Sequence, residues 1–411
     1  MTKPTALRTL ARSEEMFIGM VMGLSVDVRG RLNLVALSEA LTAVRRRYPF
    51  LGARLERTSG GYVLMESSGA SGLRVDAPRP DDLPAWSPLD EEGSLSAVEV
   101  QRNGDSARVT FVTHHCVADA RHAVAAFEDL WRYYTEADLH GSIVEPAPLP
   151  DPEALETLLA TRVSKAQGVA PYVVASSTSS APSDPTAHQV TTAIAGNGLV
   201  RLDVARWRLT ADETAAIDAF ARREGLTPHG LLSAAILLTE AKHRELTLAD
   251  LHFSYAVDLR QWLAPVVPAA GGTNAIGYLS FNPSLPEPTG IESLARSVSD
   301  HLMDGLLSGI VERSLLYAAS SGARPMAEIP GKITASNLGR IPAIVSPPDL
   351  IIEDLNTVIS PRLFEDPNIR GAYIISYFAD RLSIEFYYPA SDIGAEDGRL
   401  DSLAGHLLAL S

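Results

Sequence analysis

Thr113-His114-His115-Cys116-Val117-Ala118-Asp119-Ala120 is the stretch on which the reading of this chain turns. Ala107 to Thr113 before it alternates as a strand does. Ala120 to Thr135 after it carries Ala123, Phe127, Leu130, Trp131 and Tyr134 at helical spacing. Two histidines therefore sit where a strand gives way to a helix. Neighbouring strand residues point to opposite faces, so the pair does not readily chelate one metal; one ring faces the core and the other a cavity. A neutral histidine at a strand end, its second nitrogen fixed by a backbone carbonyl, serves as a general base near pH 7.

Taken alone, these residues leave two readings open: His114 as a hydrogen-bonded core histidine, or the pair as a reaction centre. Asp119 is equally well placed as the N-cap of the helix. Cys116 next to His115 raises a cysteine nucleophile, but on this turn it points away from the ring. No Gly-x-Ser-x-Gly elbow, His-Glu-x-x-His or Cys-x-x-Cys is present, and Gly271-Gly272 and Gly339 form no phosphate-binding pattern. His122, His140, His243, His301 and His406 read as surface helix residues, whereas His188, His229 and His252 fall in loops or strand ends.

Outward from the motif, Leu24 to Val35 reads as a strand turning at Arg29-Gly30, and Ala36 to Tyr48 as an amphipathic helix ended by Pro49. Strands follow at Leu51 to Arg57 and Gly61 to Ser67, then a hairpin of Leu95 to Arg102 and Ala107 to Thr113 over Asn103-Gly104-Asp105. Beyond the motif helix, Pro146, Pro148, Pro150 and Pro152 precede a short helix at Ala154 to Val163. A Ser/Pro-rich run, Ser176 to Pro185, follows and reads as linker.

The second half opens with a strand at Leu199 to Leu209. Thr210 and Glu213 form a capping box for a helix from Ala211 to Glu224, stopped at Gly225. Thr227 and Pro228 open another, to Arg244. A strand at His252 to Leu259 is followed by a helical stretch, Ile291 to Ala319, broken near Gly305 or Gly309. Strands at Lys332 to Ser336 and Leu350 to Ile359 come next. Ala372 to Phe378 and Leu382 to Tyr388 form a hairpin over Ala379-Asp380, and a helix at Glu396 to Leu410 closes the chain. Both halves thus share an order of strand, helix, further strands, hairpin and helix. The expectation is an α+β chain: an N-terminal domain over 1–165, a Ser/Pro-rich linker over 166–198 and a C-terminal domain over 199–411.

The totals agree. The chain has 411 residues, 46% hydrophobic and 21% charged, with a net charge of −15. An acidic surface speaks against nucleic acid or an anionic membrane as the main partner. One cysteine, Cys116, precludes an intrachain disulfide and fits a reducing, cytoplasmic setting. Met1 to Glu15 lacks the apolar core of a signal peptide, and no apolar run approaches the ~18 residues of a membrane span. Leu231 to Leu238, the longest apolar stretch, is a buried helix segment.

The run His114-His115-Cys116-Val117-Ala118-Asp119-Ala120 resembles the HHxxxDG motif of the condensation-domain superfamily, which has the chloramphenicol acetyltransferase-like (CAT-like) fold. It is most similar to the polyketide-associated acyltransferase group, the phthiocerol/phthiodiolone dimycocerosyl transferase-like proteins. Leu10-Ala11-Arg12-Ser13-Glu14-Glu15 resembles that group's opening. Ala235 to Glu240, Tyr255 to Arg260 and Leu263-Ala264-Pro265 resemble its later segments, so the likeness runs nearly the length of the chain.

The resemblance implies two CAT-like domains with a channel between them. It implies His115 as catalytic base, and His114 and Asp119 as support. It also implies that Asp119 pairs with an arginine, for which Arg260 is the matching residue. Ser336, Asn337, Thr273 and Asn274 resemble segments near the family's channel and are candidate donors to an oxyanion. One position departs: Ala120 stands where the motif has glycine.

The expected activity is transfer of an acyl group from a thioester to a hydroxyl of a lipid or polyketide. The donor would be acyl-CoA or an acyl group on a carrier protein or polyketide synthase, and no metal or other cofactor is required. A monomer suffices, because a two-domain chain can complete its own site. The alternatives are a condensation, cyclisation or epimerisation enzyme of the same fold, or a binding homologue that has lost catalysis.

Overall fold

A computed structural model describes residues 5–67, 72–76, 93–165, 200–284, 289–321, 329, 331–392, 394–396 and 398–410. The 166–198 linker and His188 lie outside the described residues. The chain divides into two units, and each contains segments distant in sequence. The first holds Met1–Thr161, Pro265–Ala275 and Pro342–Ser360; the second holds Arg162–Ala264, Ile276–Ile341 and Pro361–Ser411. Two stretches of the C-terminal half thus belong with the N-terminal unit.

The first unit is built on a five-stranded sheet. Its strand order is β14 (Leu350–Ile359), β2 (Val21–Gly30), β7 (Ser106–His114), β6 (Ser96–Asn103) and β5 (Leu73–Val75). Only the β5–β6 pair is parallel. β6 and β7 form the expected hairpin, with Gly104 at φ +61 in open space.

Helix α2 (Leu34–Arg47) begins earlier than its apolar periodicity indicates. Asn33 caps it by accepting from the Val35 and Ala36 N–H groups, so Val35 is helical and the preceding strand ends at Gly30. Helix α4 (Ala120–His140) runs past Thr135 to a left-handed Gly141. Its stripe of Ala123, Phe127, Leu130, Trp131 and Tyr134 is buried as read. Phe127 packs on Phe111 of β7 at 6.3 Å between ring centres and meets Trp131 edge-on. A small sheet of β1 (Ala6–Thr9), β4 (Gly61–Met65) and β3 (Arg54–Thr58), with the short helices α1 (Arg12–Glu15), α3 (Pro49–Gly52) and α5 (Leu155–Thr161), completes the unit.

The second unit has a six-stranded sheet. Its order is β12 (Ile276–Phe281), β10 (His252–Asp258), β13 (Lys332–Arg340), β15 (Ala372–Phe378), β16 (Arg381–Pro389) and β9 (Leu202–Arg208). β13 is parallel to both neighbours; the remaining pairs are antiparallel. A two-stranded pair joins β8 (Val163–Ser164) to β11 (Leu263–Ala264).

Helices α6 (Ala211–Arg223), α7 (Pro228–Arg244), α8 (Ile291–Leu307), α9 (Ile310–Ser321) and α10 (Arg399–Leu408) accompany the larger sheet. Thr210 and Glu213 make the capping box, and Thr227 caps α7 through the Gly230 N–H at 2.9 Å. The long helical stretch breaks at Ser308-Gly309, where Gly309 has φ +68. Glu240 of α7 is fully buried, where it binds Arg244, Arg399 and the Tyr373 hydroxyl. Strand β12, which the sequence pattern does not announce, sits at the sheet edge; α9 packs beside it, and Ser314 Oγ accepts from the Tyr278 N–H at 2.7 Å. No helix among the described residues is long and apolar enough to cross a membrane.

Two glycines test this packing in opposite directions. A Cβ on Gly277 of β12 would lie 2.1 Å from the Val311 carbonyl oxygen, so Gly277→Ala lowers stability by about 1–3 kcal/mol in urea denaturation. Gly405 is exposed inside α10, and a methyl group added there meets nothing within 4 Å. Gly405→Ala therefore gains about 0.5–1 kcal/mol in the same measurement.

Candidate active site

Strand β7 delivers the motif. Its last residue, His114, pairs with Val21 of β2, and the next N–H, that of His115, donates to the Met20 carbonyl at 2.8 Å. The two rings then occupy different surroundings, as the strand alternation anticipates. His114 is 1% exposed. Its Nε2 lies 3.0 Å from the Gly19 N–H and its Nδ1 3.3 Å from the Cys116 N–H. A neutral imidazole accepts at one nitrogen only, and the shorter contact takes that role. Cys116 is fully buried.

His115 is half-buried and lies flat on Phe17, with ring centres 4.2 Å apart and planes within 9°. Its Nδ1 is buried and has no hydrogen-bond partner. Burial pulls the ring below its ordinary pKa of 6.5, and His114 adds to this. Its own backbone carbonyl, the Asp119 carboxylate and the Asn274 amide pull the other way without cancelling it. The ring is therefore neutral at pH 7 and able to take a proton.

Asp119 ties the motif down. It is the N-cap of α4, accepting from the His122 N–H at 3.1 Å through Oδ1. Its Oδ2 accepts from the Ala275 N–H at 2.9 Å, and its own N–H donates to the Thr273 carbonyl at 2.7 Å. The segment Gly272–Ala275 thus lies along the motif loop. His122 Nδ1 is 3.3 Å from the Gly272 carbonyl, and Asn274 Nδ2 donates to the His115 carbonyl at 2.8 Å. His122 is buried, at 1% exposure, and not a surface helix residue: it lies on the α4 face turned toward this segment.

Thr273 gives its hydroxyl proton to Glu14 Oε1 at 2.6 Å. Glu14, fully buried, also binds the Arg8 guanidinium at 2.6 and 2.8 Å and the Ala11 N–H at 2.8 Å. The structure therefore brings His114, His115, Asp119, Thr273 and Asn274 together in the first unit. Phe17, Glu14 and His122 join them without having been anticipated.

Arg260, Ser336 and Asn337 belong to the second unit. Arg260 is 2% exposed, and its Nη1 lies 3.2 Å from Asp258 Oδ1. Asn337 sits at the bulge of β13, where its Oδ1 accepts from the Gly339 N–H at 2.8 Å and Gly339 takes φ +66. Ser336 precedes it on the same strand. Among the described residues no three of His, Cys, Asp and Glu are grouped to hold a metal ion.

A family model described as the phthiocerol/phthiodiolone dimycocerosyl transferase C-terminus matches residues 198–387. The phthiocerol/phthiodiolone dimycocerosyl transferase of Mycobacterium ulcerans is 30% identical over 391 residues, covering 93% of this chain and 92% of the relative. The structure of polyketide synthase associated protein 5 from Mycobacterium tuberculosis matches with a TM-score of 0.77 at 26% identity, over 99% of each chain. At the level of fold alone, the trichothecene 15-O-acetyltransferase of Fusarium sporotrichioides matches with a TM-score of 0.70 at 13% identity, over 99% of this chain and 95% of that one. The chain belongs to the phthiocerol/phthiodiolone dimycocerosyl transferase family and is an O-acyltransferase of condensation-domain, CAT-like fold.

Proposed function

We propose that this enzyme moves an acyl group from a thioester to the hydroxyl of a lipid or polyketide acceptor, with His115 as general base. The donor is acyl-CoA or an acyl chain on a carrier protein or polyketide synthase. The observation that carries the reading is the state of His115: a half-buried ring, flat on Phe17, held neutral by burial at the end of β7. The polyketide and lipid assignment rests on the relatives' names, among them a polyketide synthase associated protein and dimycocerosyl transferases.

In the proposed step Nε2 of His115 takes the acceptor's hydroxyl proton as the oxygen attacks the thioester carbonyl carbon. The tetrahedral intermediate collapses by breaking the carbon–sulfur bond. The imidazolium returns the proton to the departing thiolate, leaving ester, free thiol and a neutral ring. The base reads as neutral down to pH values below 6.5, so the acid limb of the rate profile falls on the acid side of that value. Ala120 fits this chemistry as a first helical residue behind the Asp119 cap. His114 and Asp119 act by holding the loop.

Two variants separate these roles. With dodecanoyl-CoA and decanol, followed by thiol release, His115→Ala lowers the turnover number by about 100- to 10,000-fold with an unchanged melting temperature. Retention of the wild-type rate overturns the general-base reading. Asp119→Ala strands the His122 and Ala275 N–H groups and lowers stability by about 2–4 kcal/mol in urea denaturation. Unchanged stability removes its structural role.

A further inference from the structure

We propose that Arg244, Arg370 and Arg399 form a binding site for a phosphate monoester that carries a neighbouring hydroxyl. The site lies wholly within the second unit, whereas the histidine motif belongs to the first.

The three guanidinium groups come from three places in the chain: the end of α7, the approach to β15 and the start of α10. With Phe386 and Asp392 they line a cavity of about 240 Å³. Pockets for larger ligands run to ~300–1,000 Å³, and one water molecule takes ~30 Å³. The space therefore suits a phosphate group with a few further atoms, not a whole cofactor.

Two of the arginines are fixed in place. The Glu240 carboxylate is fully buried; Arg244 Nε binds one of its oxygens and Arg399 Nη1 the other. The Tyr373 hydroxyl donates to it as well. Arg399 lies over the Phe386 ring, 4.8 Å from its centre, and its Nε donates to the Ala395 carbonyl at 2.6 Å. The backbone beside Arg370 runs against the same ring: a Cβ on Gly371 would lie 2.3 Å from Phe386 Cε2.

The donors are only partly used. Among the described residues Arg244 donates through Nε alone, and the exposed Arg370 guanidinium makes no hydrogen bond or ion pair. Three positive charges face two negative ones, Glu240 and Asp392, an excess of one on a chain whose net charge is −15. A local positive cavity on an acidic protein draws an anion.

The arrangement selects among anions. A carboxylate is planar and is filled by one guanidinium fork, whereas a phosphate presents three oxygens to forks arriving from three directions. Asp392 is half-buried, and its carboxylate has no partner among the described residues. Bare phosphate meets repulsion there. A monoester with a hydroxyl close to its phosphate gives Asp392 a proton to accept, so the one carboxylate at the cavity becomes a contact.

The test is isothermal titration calorimetry of the full-length protein with glycerol 3-phosphate and, separately, with inorganic phosphate. The proteins compared are wild type, Arg370→Glu and Asp392→Ala. Arg370 is exposed and unbonded, so its variant keeps the fold. The wild type is expected to bind glycerol 3-phosphate more tightly than inorganic phosphate. Arg370→Glu is expected to weaken glycerol 3-phosphate by about 10- to 100-fold. Asp392→Ala is expected to tighten inorganic phosphate and to remove the preference for the ester. Absence of binding up to about 10 mM ligand, or equal affinity in Arg370→Glu, overturns the site. Inorganic phosphate bound as tightly as glycerol 3-phosphate by the wild type overturns the monoester and makes free phosphate the ligand.

Discussion

The Asp119 carboxylate is the constraint on which the candidate site depends. One oxygen takes an N–H from the first turn of α4, and the other takes the Ala275 N–H, 156 residues further along the chain. Each is a charged acceptor on a backbone donor in a buried place, the class of hydrogen bond worth about 1.5–3 kcal/mol. The first bond fixes where the helix starts, and so where the five-residue loop from His115 must end. The second brings Asn274 to the loop at its other end. A single side chain therefore sets the conformation of the loop that carries His115.

The layers around it are buried polar groups tied to one another. Glu14 is a charge buried without exposure, a costly situation relieved here by the Arg8 fork, a backbone N–H and the Thr273 hydroxyl. His114 spends a nitrogen on Gly19, and His122 turns its ring toward the Gly272 carbonyl. Three histidines in nine residues thus have three occupations. His115 alone among them lies flat on an aromatic ring, that of Phe17, with its buried Nδ1 left without a hydrogen-bond partner.

Much of this is legible in the sequence, because it is local. The alternation before His114, the apolar stripe of α4, the Thr210 capping box and the Thr227-Pro228 helix start rest on interactions within four residues of one another. Each appears where periodicity and capping place it. What escapes is long-range. Nothing local in Gly272-Thr273-Asn274-Ala275 says that it lies against residue 119, and nothing in Leu350–Ile359 says that its partner is β2. Strand β12 escapes for a related reason: Gly277 breaks its apolar alternation, yet glycine is required there by the Val311 carbonyl of a helix still to come. His122 reads as a surface residue because helical spacing does not reveal which side of a helix a later segment will cover.

The place of β14 has a further consequence. It forms the edge of the first unit's sheet, beside β2, and Asn356 reaches Asp27 across 329 residues of chain. As the polypeptide leaves the ribosome, β2, β5, β6 and β7 emerge long before the fifth strand, β14. Until β14 arrives the outer side of β2 is an open ladder of unpaired amides, the kind of edge that recruits foreign strands. The N-terminal unit is not a module that can be finished early, passed on in a gene fusion or cut out as a fragment ending at Thr161. Its completion waits on Pro265–Ala275 and Pro342–Ser360, segments made long after the histidine loop itself.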